Sequence, residues 1–213
     1  GIITTFAVVA GFSGAQTGPE GTIPMFVVLL FGFANLFGDA SSMGLGNFLS
    51  VRADQDVYRK EQKKERHEID NNPEFEIAET KHILTQKGFT TKQSHELAKI
   101  YATNPEYWTE FMMKDELSMP DPLDENPYLT GIITATSFMV FGAIPLIPYI
   151  FLANVLGATF YISLVFTGVA LIILGLFRWK VTRQGFLRSV GETVLVGSIS
   201  AGVAYLVGTF FRV

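Results

Sequence analysis

Apolar and polar positions divide this chain into two kinds of segment. Long apolar runs occupy both flanks, whereas residues 52–124 are dense in Lys, Arg, Asp and Glu. A helix rises ~1.5 Å per residue and the hydrocarbon core of a bilayer is ~30 Å thick, so a run of about 20 apolar residues can cross it. The pattern therefore predicts membrane-spanning helices on either side of a polar insert.

Five apolar runs are candidates for these spans. The second run has no proline after Pro24 and continues into charged sequence as far as Ile69, so we expect one long helix there. Pro145 and Pro148 predict a kink in the third run. The first run is too short to cross alone, and we expect a span that starts ahead of Gly1. The runs are residues 2–14, 23–51, 130–156, 157–177 and 190–211.

The basic residues in the connections predict the orientation of the spans, because short cytoplasmic loops retain Lys and Arg. Six lie in residues 52–66 and four in residues 178–188, so we expect both segments to be cytoplasmic. The connection 15–22 carries only Glu20, and the turn near Asn154 has no charge. Both are expected on the opposite side of the membrane.

Helix start and stop signals divide the polar insert. Asn72 and Asn104 each precede a proline, as a capping residue precedes the first helical position. Gly88 is a stop signal. Three helices are expected, at residues 73–87, 91–102 and 105–119. The predicted fold is an all-α integral membrane protein, with spans 1 and 2 in residues 1–51, a three-helix cytoplasmic insert in 52–124 and spans 3–5 in 125–213.

Glutamates repeat within the insert at a spacing of three residues, first as Glu65 and Glu68 and then as Glu76 and Glu79. This spacing puts each pair on one face of a helix. If the turn between the pairs folds the second helix back on the first, four carboxylates converge. Their mutual repulsion is tolerable only with cations among them. The pattern indicates a site for divalent metal.

Met112 and Glu116, four residues apart on the last insert helix, could add a thioether and a further oxygen. The chain has no cysteine, which excludes thiolate sites. Its net charge of -4, without a basic patch interleaved with aromatic residues, excludes a nucleic-acid partner. Glutamates on a charged helix also form ordinary solvated faces, and spacing alone leaves that interpretation open.

Two other functions fit part of the pattern. A membrane-anchored di-iron oxidase would use Glu79-x-x-His82 with Glu65 and Glu68. Such sites normally pair Glu-x-x-His motifs on two helices, and the other two histidines have Lys where that Glu should stand. A scaffold that recruits partners through the insert would leave Asp39, an ionisable residue in an apolar span, unexplained.

Four motifs occur along the chain in a specific order. They are Ser42-Met43-Gly44-Leu45-Gly46, the Glu-x2-Glu-x7-Glu-x2-Glu array from Glu65 to Glu79, Met112-x3-Glu116, and Gly142-Ala143-Ile144-Pro145-Leu146-Ile147-Pro148-Tyr149. In this combination the chain resembles the vacuolar iron transporter family over nearly its whole length. Members of that family exchange Fe²⁺, and sometimes Mn²⁺, for protons across a vacuolar-type or plasma membrane.

The resemblance implies a homodimer in the lipid bilayer, with five spans per subunit and a translocation path near the dimer interface. It further implies a cytoplasmic domain that binds several metal ions. Met43 would be a pathway ligand, and Asn47 stands where many relatives have Glu; Asp39 is a third pathway candidate because charge in a span is costly. The metal ligands implied by similarity are Glu65, Glu68, Glu76, Glu79, Met112 and Glu116.

Overall fold

The computed structural model of the chain describes residues 1–16, 23–152 and 158–211, and every regular element within these ranges is helical. The predicted all-α class is confirmed. The helices are α1 (Ile2–Ala15), α2 (Met25–Asn71), α3 (Pro73–Gln86), α4 (Thr91–Ala102), α5 (Pro105–Asp115), α6 (Pro127–Gly142), α7 (Ile147–Phe151), α8 (Thr159–Thr182) and α9 (Phe186–Phe210), with a 3₁₀ turn (Ile144–Leu146) before α7.

Among the described residues, four helical stretches are long and apolar enough to cross a bilayer: Met25–Asn71, Pro127–Phe151, Thr159–Thr182 and Phe186–Phe210. Helix α1 is equally apolar but has 14 residues. The composition is that of a membrane protein, as the apolar runs predict. The turn near Asn154 and most of the connection containing Glu20 lie outside the described residues.

The chain divides into two compact units. The first comprises residues 1–46 and 129–213, and the second comprises residues 47–128. Helix α2 supplies residues to both units, because its sequence contains no proline that would end it between Met25 and Asn71.

Close approach of α1 and α9 organises the first unit. A Cβ added at Gly14 would collide with the backbone of Tyr205, and one added at Gly208 would collide with the backbone of Gly11. Only glycine lets two helices approach this closely. Alongside these helices, Phe6, Val9 and Ala10 of α1 pack in an apolar core with residues of α2 and of the segment around Leu146.

The third apolar run is interrupted rather than smoothly kinked. Helix α6 ends at Gly142, the chain passes through the 3₁₀ turn, and α7 begins at Ile147. Pro145 and Pro148 lack the N–H groups that a continuous helix would need. The hydroxyl of Ser163, on α8, donates a hydrogen bond of 2.7 Å to the carbonyl oxygen of Pro145. This contact within the first unit satisfies a carbonyl that the interruption releases.

Local caps set the helix ends of the second unit. The Asn104 side chain accepts from the backbone N–H of Tyr107, so the predicted cap of α5 is confirmed. The predicted side-chain cap at Asn72 is wrong. Its backbone carbonyl, not its side-chain amide, accepts the hydrogen bonds from the first turn of α3. Gly88 adopts a φ of +97° just after α3, as a stop signal requires.

Helix α5 is shorter than the sequence predicts. It ends at Asp115 rather than Met119. The N–H groups of Leu117 and Met119 turn back to the carbonyls of Met112 and Met113, which closes the last turn. Ser118 takes a left-handed φ of 54°, a conformation that ends a helix. The four residues after Asp115 are therefore a closing turn.

Candidate metal centre

Three carboxylates from three helices converge in the second unit. Glu65 lies on α2, Glu76 lies on α3, and Glu116 caps the C-terminal end of α5. One carboxylate oxygen from each lies within 4.8 Å of the others. Ile69 near the end of α2 packs with Leu84 of α3 in one apolar core, so the chain reverses at the turn containing Asn72 and Pro73. The folding back that the sequence analysis considered is thus present.

Two of these carboxylates are buried. Glu65 and Glu76 each expose 3% of their surface, whereas Glu116 is exposed. Glu65 Oε1 and Glu76 Oε2 have no hydrogen-bond partner in the described part of the chain. Burying an unpaired carboxylate is expensive, so such oxygens are normally protonated or bound to a cation. The cluster provides a concentrated set of hard oxygen ligands.

Burial and mutual repulsion change the acidity of the cluster. Burial, together with the negative charges of Glu116, Glu76 and Glu68, raises the pKa of Glu65 from 4.5 to about 8. Burial and the neighbouring acidic groups also raise the pKa of Glu76 to about 7. Near neutral pH the metal-free cluster therefore retains protons that a divalent cation would displace.

The other two array glutamates lie beside this cluster. Glu68 and Glu79 are half-buried. Both raise the pKa values of Glu76 and Glu116 through their negative charge, so they are near neighbours of the three convergent groups. Lys64 lies 3.7 Å from a Glu68 oxygen, an ion pair one helical turn apart. The structure thus brings all five acidic residues of the predicted ligand set to one region, three of them in direct proximity.

Met112, the predicted thioether ligand, is fully buried one turn before Glu116 on α5. Its side chain belongs to an apolar core with Ile69, Leu84 and Trp108. Its Sδ also accepts a hydrogen bond from the hydroxyl of Thr80, at 3.4 Å. Thr80 was not among the predicted site residues, since a threonine within a helix normally bonds to the carbonyl four residues earlier.

The histidines lie outside the convergent carboxylates. His67 pairs with Asn71, and His82 with Gln86, each one turn along its own exposed helix surface. His95 is exposed, and the positive charges of Lys81 and Lys99 are the main cause of its lowered pKa. A di-iron oxidase built on His82 would need its imidazole among the carboxylates, where the described residues place Glu65, Glu76 and Glu116.

The polar residues of the apolar part of α2 are separate from this cluster. Asp39 is half-buried and accepts a 3.1 Å hydrogen bond from the Asn35 side chain one turn earlier. Both line an open cleft of about 630 Å³, together with residues of α1 and α9. Met43, one turn further on, is 53% exposed. Asn47 is half-buried. Sequence reasoning missed Asn35 as a partner of Asp39, although the four-residue spacing could have indicated it.

Comparison with known proteins identifies the family. The model of the VIT family matches residues 1–209. The chain belongs to the VIT family. The resemblance inferred from its motifs is therefore confirmed.

Named relatives of this VIT-family chain share about a third of its residues. Vacuolar iron transporter 1 of Arabidopsis thaliana is 33% identical over 96% of the chain and 79% of its own length. Vacuolar iron transporter 2 of Oryza sativa subsp. japonica is 33% identical over 96% of the chain and 80% of its own length. The vacuolar iron transporter of Plasmodium falciparum is 35% identical over the whole chain and 78% of its own length.

Proposed function

We propose that this VIT-family protein is a membrane transporter that moves Fe²⁺ out of the cytosol in exchange for protons, with Mn²⁺ as a second substrate. Its named relatives are transporters of iron, not enzymes. The observation that carries the proposal is the convergence of Glu65, Glu76 and Glu116, in which Glu65 and Glu76 each have a buried oxygen with no hydrogen-bond partner among the described residues. Repulsive carboxylates gathered in this way are suited to capture a divalent cation.

Capture is the first step of the proposed mechanism. Glu65, Glu68, Glu76, Glu79 and Glu116 supply oxygens, and Met112 supplies a thioether that suits Fe²⁺ better than Mg²⁺ or Ca²⁺. The insert, residues 52–124, faces the cytosol in this proposal because its basic residues follow the second of five spans. Metal held there increases the supply of ions at the membrane entrance.

Passage through the membrane is the second step. We assign the pathway to α2, with Asp39 and Met43 as ligands in the span and Asn47 close to its end. Met43 is more than half exposed in the single chain, so a pathway past it requires a second wall. A second copy of the chain, forming a homodimer in the bilayer, would supply that wall. Protons moving in the opposite direction would compete for the same carboxylates and favour release into an acidic compartment.

Metal stoichiometry tests the capture step. Replacing Glu65 and Glu76 by Gln removes two carboxylate ligands with little change in shape, so we expect loss of at least one bound Fe²⁺ or Mn²⁺ per chain by calorimetry under anaerobic conditions. Glu74 and Glu96 are exposed glutamates of the same unit, and their replacement by Gln is the same chemical change outside the cluster. Equal stoichiometry in the two double variants would reject the ligand assignment.

Flux into proteoliposomes tests the transport step. Fe²⁺ uptake should accelerate when the lumen is acidic, and luminal alkalinisation should accompany it if protons are exchanged. Asp39→Asn and Met43→Leu should each lower the initial rate about tenfold or more, as expected when one transition-state contact of ~1.4 kcal/mol is lost. Met139→Leu changes another methionine of a span and should transport normally. Normal flux in both α2 variants would contradict the proposed pathway.

A further inference from the structure

Three buried side chains form a hydrogen-bonded chain beside the carboxylate cluster. The indole N–H of Trp108 donates to the hydroxyl oxygen of Thr80 at 2.8 Å. The Thr80 hydroxyl then donates to Met112 Sδ at 3.4 Å. Thr80 and Met112 expose none of their surface, and Trp108 exposes 1%. This chain joins α3 to α5 within the second unit.

The direction of these bonds follows from donor and acceptor chemistry. An indole nitrogen is a donor only, so Trp108 occupies a lone pair of the Thr80 oxygen. The single hydroxyl proton of Thr80 is then free to reach an acceptor of its own. A thioether sulfur has no proton, so Met112 receives this bond. The indole thus fixes which way the hydroxyl points.

Thr80 differs from several other helical threonines in this protein. Thr85, Thr109 and Thr193 each donate to the carbonyl four residues earlier, at 2.8 Å. That local bond is the usual one for a hydroxyl inside a helix. Thr80 bonds instead to a weak acceptor 32 residues away. Exchanging a carbonyl acceptor for a weaker sulfur acceptor costs free energy. The hydrogen bond that the Trp108 indole donates to Thr80 compensates for this loss.

These hydrogen-bonded side chains lie one helical turn from residues of the carboxylate cluster. Thr80 lies one turn after Glu76 on α3, and Met112 lies one turn before Glu116 on α5. Methionine has three rotatable bonds and adapts its shape to its surroundings, so an unrestrained thioether would sample several positions. A hydrogen bond to one lone pair of the sulfur restrains the side chain and leaves the second lone pair for another partner.

We propose that Thr80 is a positioning residue, which holds the Met112 thioether at the cluster and thereby makes the cluster favour ions that accept sulfur over ions that bind oxygen alone. The inference rests on the proposed function, because it assumes that the carboxylates bind metal. Fe²⁺ and Co²⁺ accept softer ligands more readily than Mn²⁺ does. The preference between these ions, and not binding itself, is therefore what Thr80 controls.

Thr80→Val tests this role, since valine has the shape of threonine without its hydroxyl. Calorimetry on the full-length protein would measure the Kd for Co²⁺, an air-stable substitute for Fe²⁺, and for Mn²⁺. We expect the Kd for Co²⁺ to rise about fivefold, the factor for one net hydrogen bond, and the Kd for Mn²⁺ to change less than about twofold. Thr80→Ser keeps the hydroxyl and should retain the wild-type ratio of the two Kd values.

A second variant controls for destabilisation of the fold. Thr80→Val leaves the Trp108 N–H buried without an acceptor, and this alone is destabilising. The double variant Thr80→Val with Trp108→Phe removes both polar partners and should still lose the preference for Co²⁺. The double variant Met112→Leu, Thr80→Val should have the same two Kd values as Met112→Leu alone, because the thioether through which Thr80 acts is gone.

Several outcomes would overturn the inference. Equal weakening of Co²⁺ and Mn²⁺ binding would make Thr80 merely structural, and an unchanged ratio in both Thr80→Val variants would exclude a role. Failure of the proposed function gives a different result. In that case the wild type and the Glu65→Gln, Glu76→Gln variant would bind both metals alike, whatever residue stands at position 80.

Discussion

Glu65 and Glu76 carry the most unusual chemistry of individual residues in this protein, because they are buried carboxyl groups that face one another. A proton and a divalent ion are alternative ways of relieving their repulsion. With pKa values of about 8 and about 7, the proposed metal site would exchange protons for a cation within the physiological range. The same side chains can therefore respond both to metal supply and to pH.

The stability of the metal-free protein should fall as pH rises. Both carboxyl groups have a folded pKa above 4.5, so the folded state holds more protons than the unfolded chain between about pH 5 and about pH 8. Their contribution is complete below the unfolded pKa and is lost as pH rises through the folded values. We expect Tm, measured with a chelator present, to decrease over this interval.

Two controls identify the cause of that decrease. The Glu65→Gln, Glu76→Gln variant should show a flatter dependence of Tm on pH, whereas the exposed-residue variant Glu74→Gln should keep the wild-type slope. Adding Mn²⁺ should restore Tm mainly at the alkaline end, where fewer protons compete for the oxygens. A slope unchanged by the buried substitutions would assign the pH dependence to other groups.

At the scale of helices and turns, the sequence predicts which helices form better than it predicts where they end. Gly88 and Asn104 act as the sequence predicts, because their roles depend only on local backbone geometry. The end of α5 was misplaced because no glycine marks it; Ser118 takes the left-handed conformation instead. The backbone bonds from Leu117 and Met119 back to α5 close that turn, and no residue type in the sequence marks them.

Gly88 is the position in the second unit where a side chain would strain the backbone. Its φ of +97° disfavours any L-residue with a Cβ, although no described residue other than its chain neighbours comes within 4 Å of an added Cβ. Gly88→Ala should therefore destabilise the protein by about 1 kcal/mol, or about 2–4 °C in Tm. Gly191, which is helical and equally uncrowded, provides the control. Gly191→Ala should not lower Tm, and an equal loss there would refute a conformational cause.

Contact between α1 and α9 depends on glycine for a different reason, namely space. Ala at Gly208 would meet the backbone of Gly11, and neither backbone can move aside without separating the helices. We expect Gly208→Ala to lower Tm in detergent by about 4 °C or more, as for overpacking of ~1–3 kcal/mol. Gly202 lies on the same helix with open space around it, so Gly202→Ala should be tolerated.

For the molecule as a whole, sequence patterns predict the class of the protein and most of its candidate ligands. Apolar run length and glutamate spacing depend on local periodicity, which a single sequence displays directly. Hydrogen bonds link Thr80 to Trp108 and Met112, which lie 28 and 32 positions away in the sequence, and no local pattern predicts these bonds. Burial of Glu65 but not Glu116 likewise depends on how helices pack, so it could not be predicted.

The predicted topology can be measured directly because the chain has no cysteine. Single cysteines at His95 and Gln184, both exposed, should react with a membrane-impermeant maleimide from the cytosolic side. A cysteine at Glu20 should react only from the opposite side. Labelling of all three positions from one side would contradict the arrangement of five spans.

The tight packing of α1 against α9 also constrains how the protein is made. Helix α1 ends at Ala15, and its main partner begins at Phe186. At synthesis rates of about 5–20 residues per second, the ribosome needs on the order of 10–30 s to produce the intervening chain. During that interval the glycine-lined side of α1 has no permanent neighbour. Nascent chains arrested before Phe186 should thus be the most exposed to quality-control proteases, and completion of α9 should end this sensitivity.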